Sequence, residues 1–371
     1  MKIVHSSKTL LGKSFADRGI NGDKLRAGIK RSFSKVIDLA IAEKADLVIL
    51  AGDTFDNVEV SEHLLSHFLS EVERLERIPL AILPGARDAY QKGCFWEEWE
   101  AFNPLPNLHL LTRTERPYVE LQDASVAVYG YPVLAESSPE HQVIRIKRVA
   151  KARNHIGVIY GNMSYGKSPQ TGEYSFASDE LKSCQMDYIA LGGSDEFHDF
   201  TPLGLKAAYS GSTEALSPDR ENSRNVALVT LDGARLVIEP RIVGSFQWKN
   251  IDIPMETVTG IDDLKSKLNE LAGPDVLLKA TLKGLTLLEA GLDTDELVSQ
   301  LENNFLQLEL VDQTSVLPEN ISEVKVREKT ILGQYLKIMV EKMNTAQGPE
   351  KEDLEKSLKA GYTLLTGKEI W

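Results

Sequence analysis

The chain has 371 residues, too many for one small core, so two or three domains are expected. Its 42% hydrophobic and 26% charged residues are ordinary for a water-soluble globular protein. A formal net charge of −13 argues against a surface that binds nucleic acid broadly and without specificity, though not against a local basic groove.

Cys94 and Cys184 lie far apart, which fits a reducing compartment and offers neither a disulfide framework nor a thiolate zinc site. No apolar run has the length of a signal peptide or membrane span, so a cytoplasmic protein without membrane attachment is expected. The opening MKIVHS reads as a strand, with a polar loop after it. Ile29, Phe33, Val36 and Ala40 then recur at helical spacing. ADLVILA at 45–51 and IPLAILPG at 78–85 are short apolar runs that suit strands buried on both faces. Between them Leu64, Phe68, Val72 and Leu75 make another helical stripe. Strands are also expected at SVAVYGYP, HIGVIYGN, DYIALGG and AAYSGS, and a hairpin turning at Asp232-Gly233.

Residues 1–245 therefore read as a layered α/β domain. Over 246–320 the pattern becomes βαβαβ, which suits a small α+β cap. Residues 321–371 read as a helical hairpin, with Pro349 at the second helix start and Gly367 as its C-cap.

Several strands end in polar loops: after Val4, at GDTFD, at PGARD, at YGN and at GGSDE. In open α/β sheets, sites form at the carboxyl ends of strands. With GDTFD at 52–56, and with the framing text DLVILAGDTFDN, IPLAILPGARDAY, DYIALGG and YSGSTEALS, the chain resembles a calcineurin-like metallophosphoesterase. Within that group it resembles the SbcD-type subunit of a DNA double-strand-break repair exonuclease. The resemblance implies a two-sheet sandwich flanked by helices, a capping domain, a C-terminal element docked on an SbcC-like coiled-coil ATPase, a homodimer, and contact with DNA. It also implies two divalent metals, usually manganese, held by Asp, His and Asn side chains.

This sequence departs from nearly every implied ligand. Lys8 and Leu10 stand where Asp and His belong, Ala86 replaces the ligand Asn, Arg87 replaces the catalytic His, and Tyr160 stands before Gly161-Asn162 in place of a ligand His. The fifth block reads Gly192-Gly193-Ser194-Asp195 and has no His. Asp53 is retained as a ligand; Asp56 is also retained, though the resemblance does not make it a direct ligand, and Asp88 remains as the acid behind the ligands. So few ligands cannot organise two metals for in-line attack. No metal cofactor is expected; a competent site would have to draw on Asp53, Asp195 and a shifted His198. Lys8 and Arg87 are expected to supply the missing positive charge by pairing with Asp53, Asp56 and Asp88. Otherwise Lys8 is a solvated lysine and Arg87 points outward toward phosphate.

The basic run at 145–153 (Arg145, Lys147, Arg148, Lys151, Arg153) either tracks a phosphate backbone or forms a solvated helix face. Trp96 and Trp99 read as core. Ile331, Tyr335, Ile338, Met339, Leu354, Leu358 and Tyr362 form apolar stripes that lie either on the coiled-coil partner or on each other. Three functions follow. The first is a catalytically inactive SbcD-like scaffold or DNA-end-binding subunit. The second is an active metal-dependent phosphodiesterase or nuclease with a rebuilt site, and the third a binder of a phosphate-bearing ligand.

Overall fold

The computed structural model describes residues 1–16, 21–102, 104–121, 125–135, 142–164, 174–216, 224–233, 235–286, 293–316 and 330–365. The chain divides into two compact units, Met1–Phe246 and Gln247–Trp371.

In chain order the first unit holds β1 (Lys2–Ser6), α1 (Asn21–Ala42), β2 (Leu47–Ala51), α2 (Glu62–Glu73), β3 (Leu80–Leu83), α3 (Phe95–Phe102) and β4 (Leu108–Leu110). There follow β5 (Tyr118–Leu121), β6 (Val126–Gly130), α4 (Gln142–Arg145), β7 (Asn154–Tyr160), β8 (Asn162–Ser164), β9 (Ser175–Ala177) and α5 (Ser178–Ser183). The unit ends with β10 (Tyr188–Gly192), β11 (Phe197–Asp199), β12 (Ala207–Ser210), β13 (Asn225–Asp232) and β14 (Arg235–Ile242).

Two six-stranded sheets result, ordered β14-β13-β1-β2-β3-β4 and β11-β12-β10-β7-β6-β5. β1 to β4 are mutually parallel, as are β12, β10, β7 and β6, and antiparallel strands sit only toward the edges. The central strands LVILA and LAIL are buried at every residue, as parallel strands covered on both faces must be. Ile3, Ile49 and Ala81 of the first sheet meet Val128, Ile156 and Ala190 of the second in one core. On the helical side, Phe33, Phe55, Phe68, Trp96 and Trp99 form an aromatic cluster. Ser61 starts α2 by accepting the Leu64 N–H. The expected hairpin is present, with Asp232 opposite Arg235 and Gly233 at φ 60°.

The second unit holds β15 (Gln247–Pro254), α6 (Ile261–Asn269), β16 (Gly273–Thr286), α7 (Thr294–Leu301), β17 (Phe305–Val316), α8 (Ile331–Thr345) and α9 (Pro349–Leu365). Its three strands are all parallel, in the order β15-β16-β17, and α6 and α7 bury Leu264, Leu268, Leu297 and Leu301 in its core. Pro349 opens α9 as expected; Gly367 lies outside the described residues.

One expectation fails locally. A solvated helix face is one reading of the basic run, but the helix ends at Arg145 and 146–153 is irregular. The buried Tyr129 hydroxyl accepts the N–H groups of Val149 and Ala150, which removes the donors that a continuing helix would use.

Candidate functional site

The loops that follow β1, β2, β3, β7, β10 and β12 all leave carboxyl ends of strands, so both sheets contribute to one end of the sandwich. The loop after β1 lies along the GDTFD block: Lys8 N–H donates to Gly52 O, Leu10 N–H to Asp53 O and Leu11 N–H to Thr54 O. Lys8, Leu10 and Asp53 all have positive φ (48°, 54° and 53°), so the two loops form a tight pair of backbone turns. Gly161 N–H donates to Gly192 O, and Ser7 bridges to Ser212, which closes the ring of loops.

Glycine is required at two points. A Cβ on Gly192 would lie 1.5 Å from Ala51 O, and one on Gly85 would lie 2.4 Å from Asp53 N. The first gap brings the two sheets together; the second, between the loops after β2 and β3 of the first sheet, carries Asp53 in beside the Tyr160 ring of the second sheet.

Asp53 is 1% exposed. Its Oδ1 accepts the Arg87 backbone N–H at 2.9 Å, and its Oδ2 accepts the Tyr160 hydroxyl at 2.8 Å. Burial and the Asp53 carboxylate push the Tyr160 phenol well above its ordinary range, so it stays a donor. Asp88, fully buried, accepts three backbone N–H groups, from Gly85 at 2.7 Å, Phe55 at 3.0 Å and Asp53 at 3.2 Å. Burial, and then the Asp53 charge, raise its carboxyl to about 7 despite these bonds. Asp88 thus organises the loop backbone rather than facing outward.

The expected Arg87–Asp56 pair is present, whereas Lys8 finds its partner in Asp195, which the expectation did not include. Lys8 Nζ lies 2.9 Å from Asp195 Oδ1, joining the first sheet's loop to the second's. Arg87 Nη1 lies 2.7 Å from Asp56 Oδ1, with Lys13 Nζ at 3.8 Å from the same oxygen. Among the described residues no side-chain cation pairs with Asp53; a tyrosine hydroxyl and a backbone amide serve it instead. Lys8 is therefore a paired, largely buried lysine, whereas Arg87 is half exposed along its ion pair. Leu10 is 3% exposed, so an apolar side chain fills the implied imidazole position.

The remaining candidates spread out. Ala86 and Asn162 are exposed, and Gly193 has φ 108° in the loop after β10. His198 is exposed on the edge strand β11 with its ring against Phe200. His5 is buried against the Tyr188 hydroxyl at 2.8 Å, and burial lowers it to about 3, so it is a neutral packing residue.

The donor set does not fit a metal pair. Each retained carboxylate already faces a cation or hydrogen-bond donor from this chain, and Lys8 places a positive charge among them. Among the described residues no three His, Cys, Asp or Glu side chains are grouped to hold an ion.

The basic run lies elsewhere, at the amino end of β7, so it does not border this loop cluster. The apolar stripes of α8 and α9 divide. Met339 and Leu358 are buried between the two helices, and Tyr335, Leu354 and Tyr362 pack against them; Ile331 and Ile338 stay exposed at 76% and 54%. Sequence reading missed Tyr160 as the donor to Asp53 and Asp195 as the partner of Lys8. Only the block positions of Tyr160 and Asp195 hinted at either. Among the described residues no helix is long and apolar enough to cross a membrane.

The two-sheet sandwich with its loops at the strand carboxyl ends is the architecture that the resemblance to metallophosphoesterases implies. No family model matches the sequence. The chain is 24% identical over 322 residues to the uncharacterized metallophosphoesterase YhaO of Bacillus subtilis, covering 81% of this chain and 77% of that one. It is 25% identical over 194 residues to the DNA double-strand break repair protein Mre11 of Sulfurisphaera tokodaii, covering 52% and 48%. It is 25% identical over 256 residues to the SbcD component of the nuclease SbcCD of Bacillus subtilis, covering 58% and 62%. These relatives are metallophosphoesterases, DNA-repair nuclease components among them, at low identity, and they support the calcineurin-like resemblance.

Proposed function

We propose that this chain is a catalytically inactive SbcD-like subunit that serves as a scaffold or DNA-end-binding partner of an SbcC-like coiled-coil ATPase. One observation carries the reading: Lys8, Arg87 and Tyr160 engage Asp195, Asp56 and Asp53, the acids left in the loops where the resemblance implies a metal pair. Two dications require several anionic or imidazole ligands around each ion. Here fixed cations and a phenol meet that negative charge. Likeness to Mre11 and to the SbcD component of SbcCD supports the DNA-repair setting and the ATPase partner. The exposed Ile331 and Ile338 of α8 are the residues this reading places against that partner.

Elemental analysis of the untagged protein after incubation with excess manganese tests it. The expected result is no stoichiometric transition metal and no manganese-dependent cleavage of a linear duplex or of bis-p-nitrophenyl phosphate. A bound metal pair, or cleavage that Asp53→Ala abolishes, would overturn it and favour an active phosphodiesterase with a rebuilt site.

A further inference from the structure

Residues 145–153 hold five cations and no carboxylate in a chain of net charge −13. Their placement is fixed by the fold. Ile146 is buried, and Ala150 and Ala152 pack against the core on the outer face of the second sheet. The Tyr129 hydroxyl accepts Val149 N–H at 3.3 Å and Ala150 N–H at 3.0 Å, and it meets His155 Nδ1 at 2.9 Å. His155 Nε2 faces Ala152 O at 3.0 Å, so hydrogen-bond logic assigns the proton to Nε2 and makes Tyr129 the donor to Nδ1. Arg153 N–H donates to Ser125 O at 3.0 Å. With the alanines turned inward, Lys147, Arg148, Lys151 and Arg153 are turned outward and exposed.

Beside the run the added charges balance, Lys182 and Lys206 against Asp179 and Asp187, so the run itself carries the excess. A cavity of about 310 Å³ beside the loop is lined by Arg148, Lys182 and Lys206, with Asp187 as its carboxylate. Arg148 is steadied there by Gln185 O at 3.2 Å and Asp187 Oδ1 at 3.6 Å. Lys182 pairs with Asp179. Among the described residues Lys147, Lys151 and Arg153 have no ion-pair partner. All of this sits at the amino ends of β7, β10 and β12, separated from the Asp53 loops by the length of the strands, about 20 Å at ~3.3 Å per residue.

We infer that this face binds the phosphate backbone of a nucleic acid, at the end of the sandwich opposite the old catalytic loops. Cations on a loop whose backbone is pinned at four points hold a fixed spacing, which a regular polyphosphate rewards and a fluid anionic bilayer does not need. The inference deepens the nucleic-acid part of the proposed function, yet it stands apart from the metal question, since metal analysis decides one and salt-dependent binding the other.

The test is titration of the full chain with a fluorescein-labelled linear DNA duplex across a salt series, alongside phosphatidylserine vesicles. Binding is expected to weaken with salt at a log–log slope of about −3, the mark of roughly three neutralised phosphates. The double variant Lys151→Glu, Arg153→Glu, checked by thermal melting to be folded, is expected to bind at least about tenfold more weakly, with a slope shallower by about 2. Lys92→Glu, an exposed cation in the loop between β3 and α3 at the opposite end, is expected to bind as the wild type does. Four results would each overturn the inference: no duplex binding, a double variant that binds normally, loss of binding on Lys92→Glu, or vesicle binding without duplex binding.

Discussion

Lys8 and Asp195 face each other at 2.9 Å across the mouth of the sandwich, one from each sheet's loops and each about one-sixth exposed. A pair in this setting lies between the exposed limit, where little stability is at stake, and the buried limit, where removing one partner strands a charge. Lys8→Met or Asp195→Asn is expected to lower unfolding free energy by about 1–3 kcal/mol. The double variant is expected to lose less than the sum, because neither charge is then stranded. Urea unfolding of the four proteins in a cycle measures this. Additive losses would show that the two groups do not interact.

Tyr160 makes a second tie between the sheets, through its hydroxyl on Asp53. Tyr160→Phe keeps the ring packing and removes only the donor, leaving a carboxylate oxygen buried with one partner fewer. The expected cost is about 1–3 kcal/mol, read as a lower urea midpoint with an unchanged m-value. An unchanged midpoint would mean that solvent satisfies Asp53 and that the hydroxyl is dispensable.

Much of this fold was legible because its signals are local. Unbroken apolar runs such as LVILA and LAIL, each closed by a Gly turn, mark central parallel strands wherever they occur. That Lys8 stands at an implied acid position was equally plain. Its partner was not, because Lys8 and Asp195 meet only after two sheets stack, and no periodicity carries that register. The same limit applies to α8 and α9. Spacing puts Met339 and Leu358 on apolar stripes, but the stripe does not say whether a neighbouring helix or another protein covers it. At 146–153 the misreading had another origin: exposed cations hid the inward alanines and the Tyr129 hydroxyl that claims the loop amides.

Gly192 gives a harder test of the seam. Ala51 O would lie 1.5 Å from an added Cβ, and that oxygen belongs to a central strand that cannot retreat without breaking its ladder. Gly192→Ala is expected to cost more than about 3 kcal/mol, at or beyond the upper end of overpacking penalties, or to abolish soluble expression. Gly204→Ala is a matched control, since a Cβ there meets nothing within 4 Å and its φ of 77° adds only local strain. A melting temperature that falls equally in both variants would refute the close approach.

Glu214 links stability to pH at the end of the first unit. Its carboxylate is 1% exposed and accepts the N–H groups of Ser245 at 2.8 Å and Phe246 at 3.1 Å, while Arg224 donates to Phe246 O. Burial raises the carboxyl to about 7, against the lowering pull of those amides and of Lys35 and Arg224. Between its ordinary value, ~4.3, and about 7 the folded state holds the proton that the unfolded chain has released, so this group's contribution falls as pH rises. Glu214→Gln cannot titrate. Its deficit relative to wild type is expected to shrink between about pH 5 and about pH 8, measured by urea unfolding at both. A constant deficit would place the titration elsewhere.

Ile338 and Leu358 separate the two roles available to the C-terminal hairpin. Leu358 is 5% exposed between α8 and α9, so Leu358→Asp buries a charge and is expected to unravel the pair, with loss of helical signal in circular dichroism. Ile338 is 54% exposed, so Ile338→Asp is expected to leave that signal intact. If the hairpin docks on a coiled-coil ATPase, Ile338→Asp abolishes capture of a coiled-coil fragment without changing the fold, because an aspartate at a buried apolar contact strands its charge. Normal capture by Ile338→Asp would remove the exposed face of α8 from any such interface, leaving the hairpin as a packing element of its own unit.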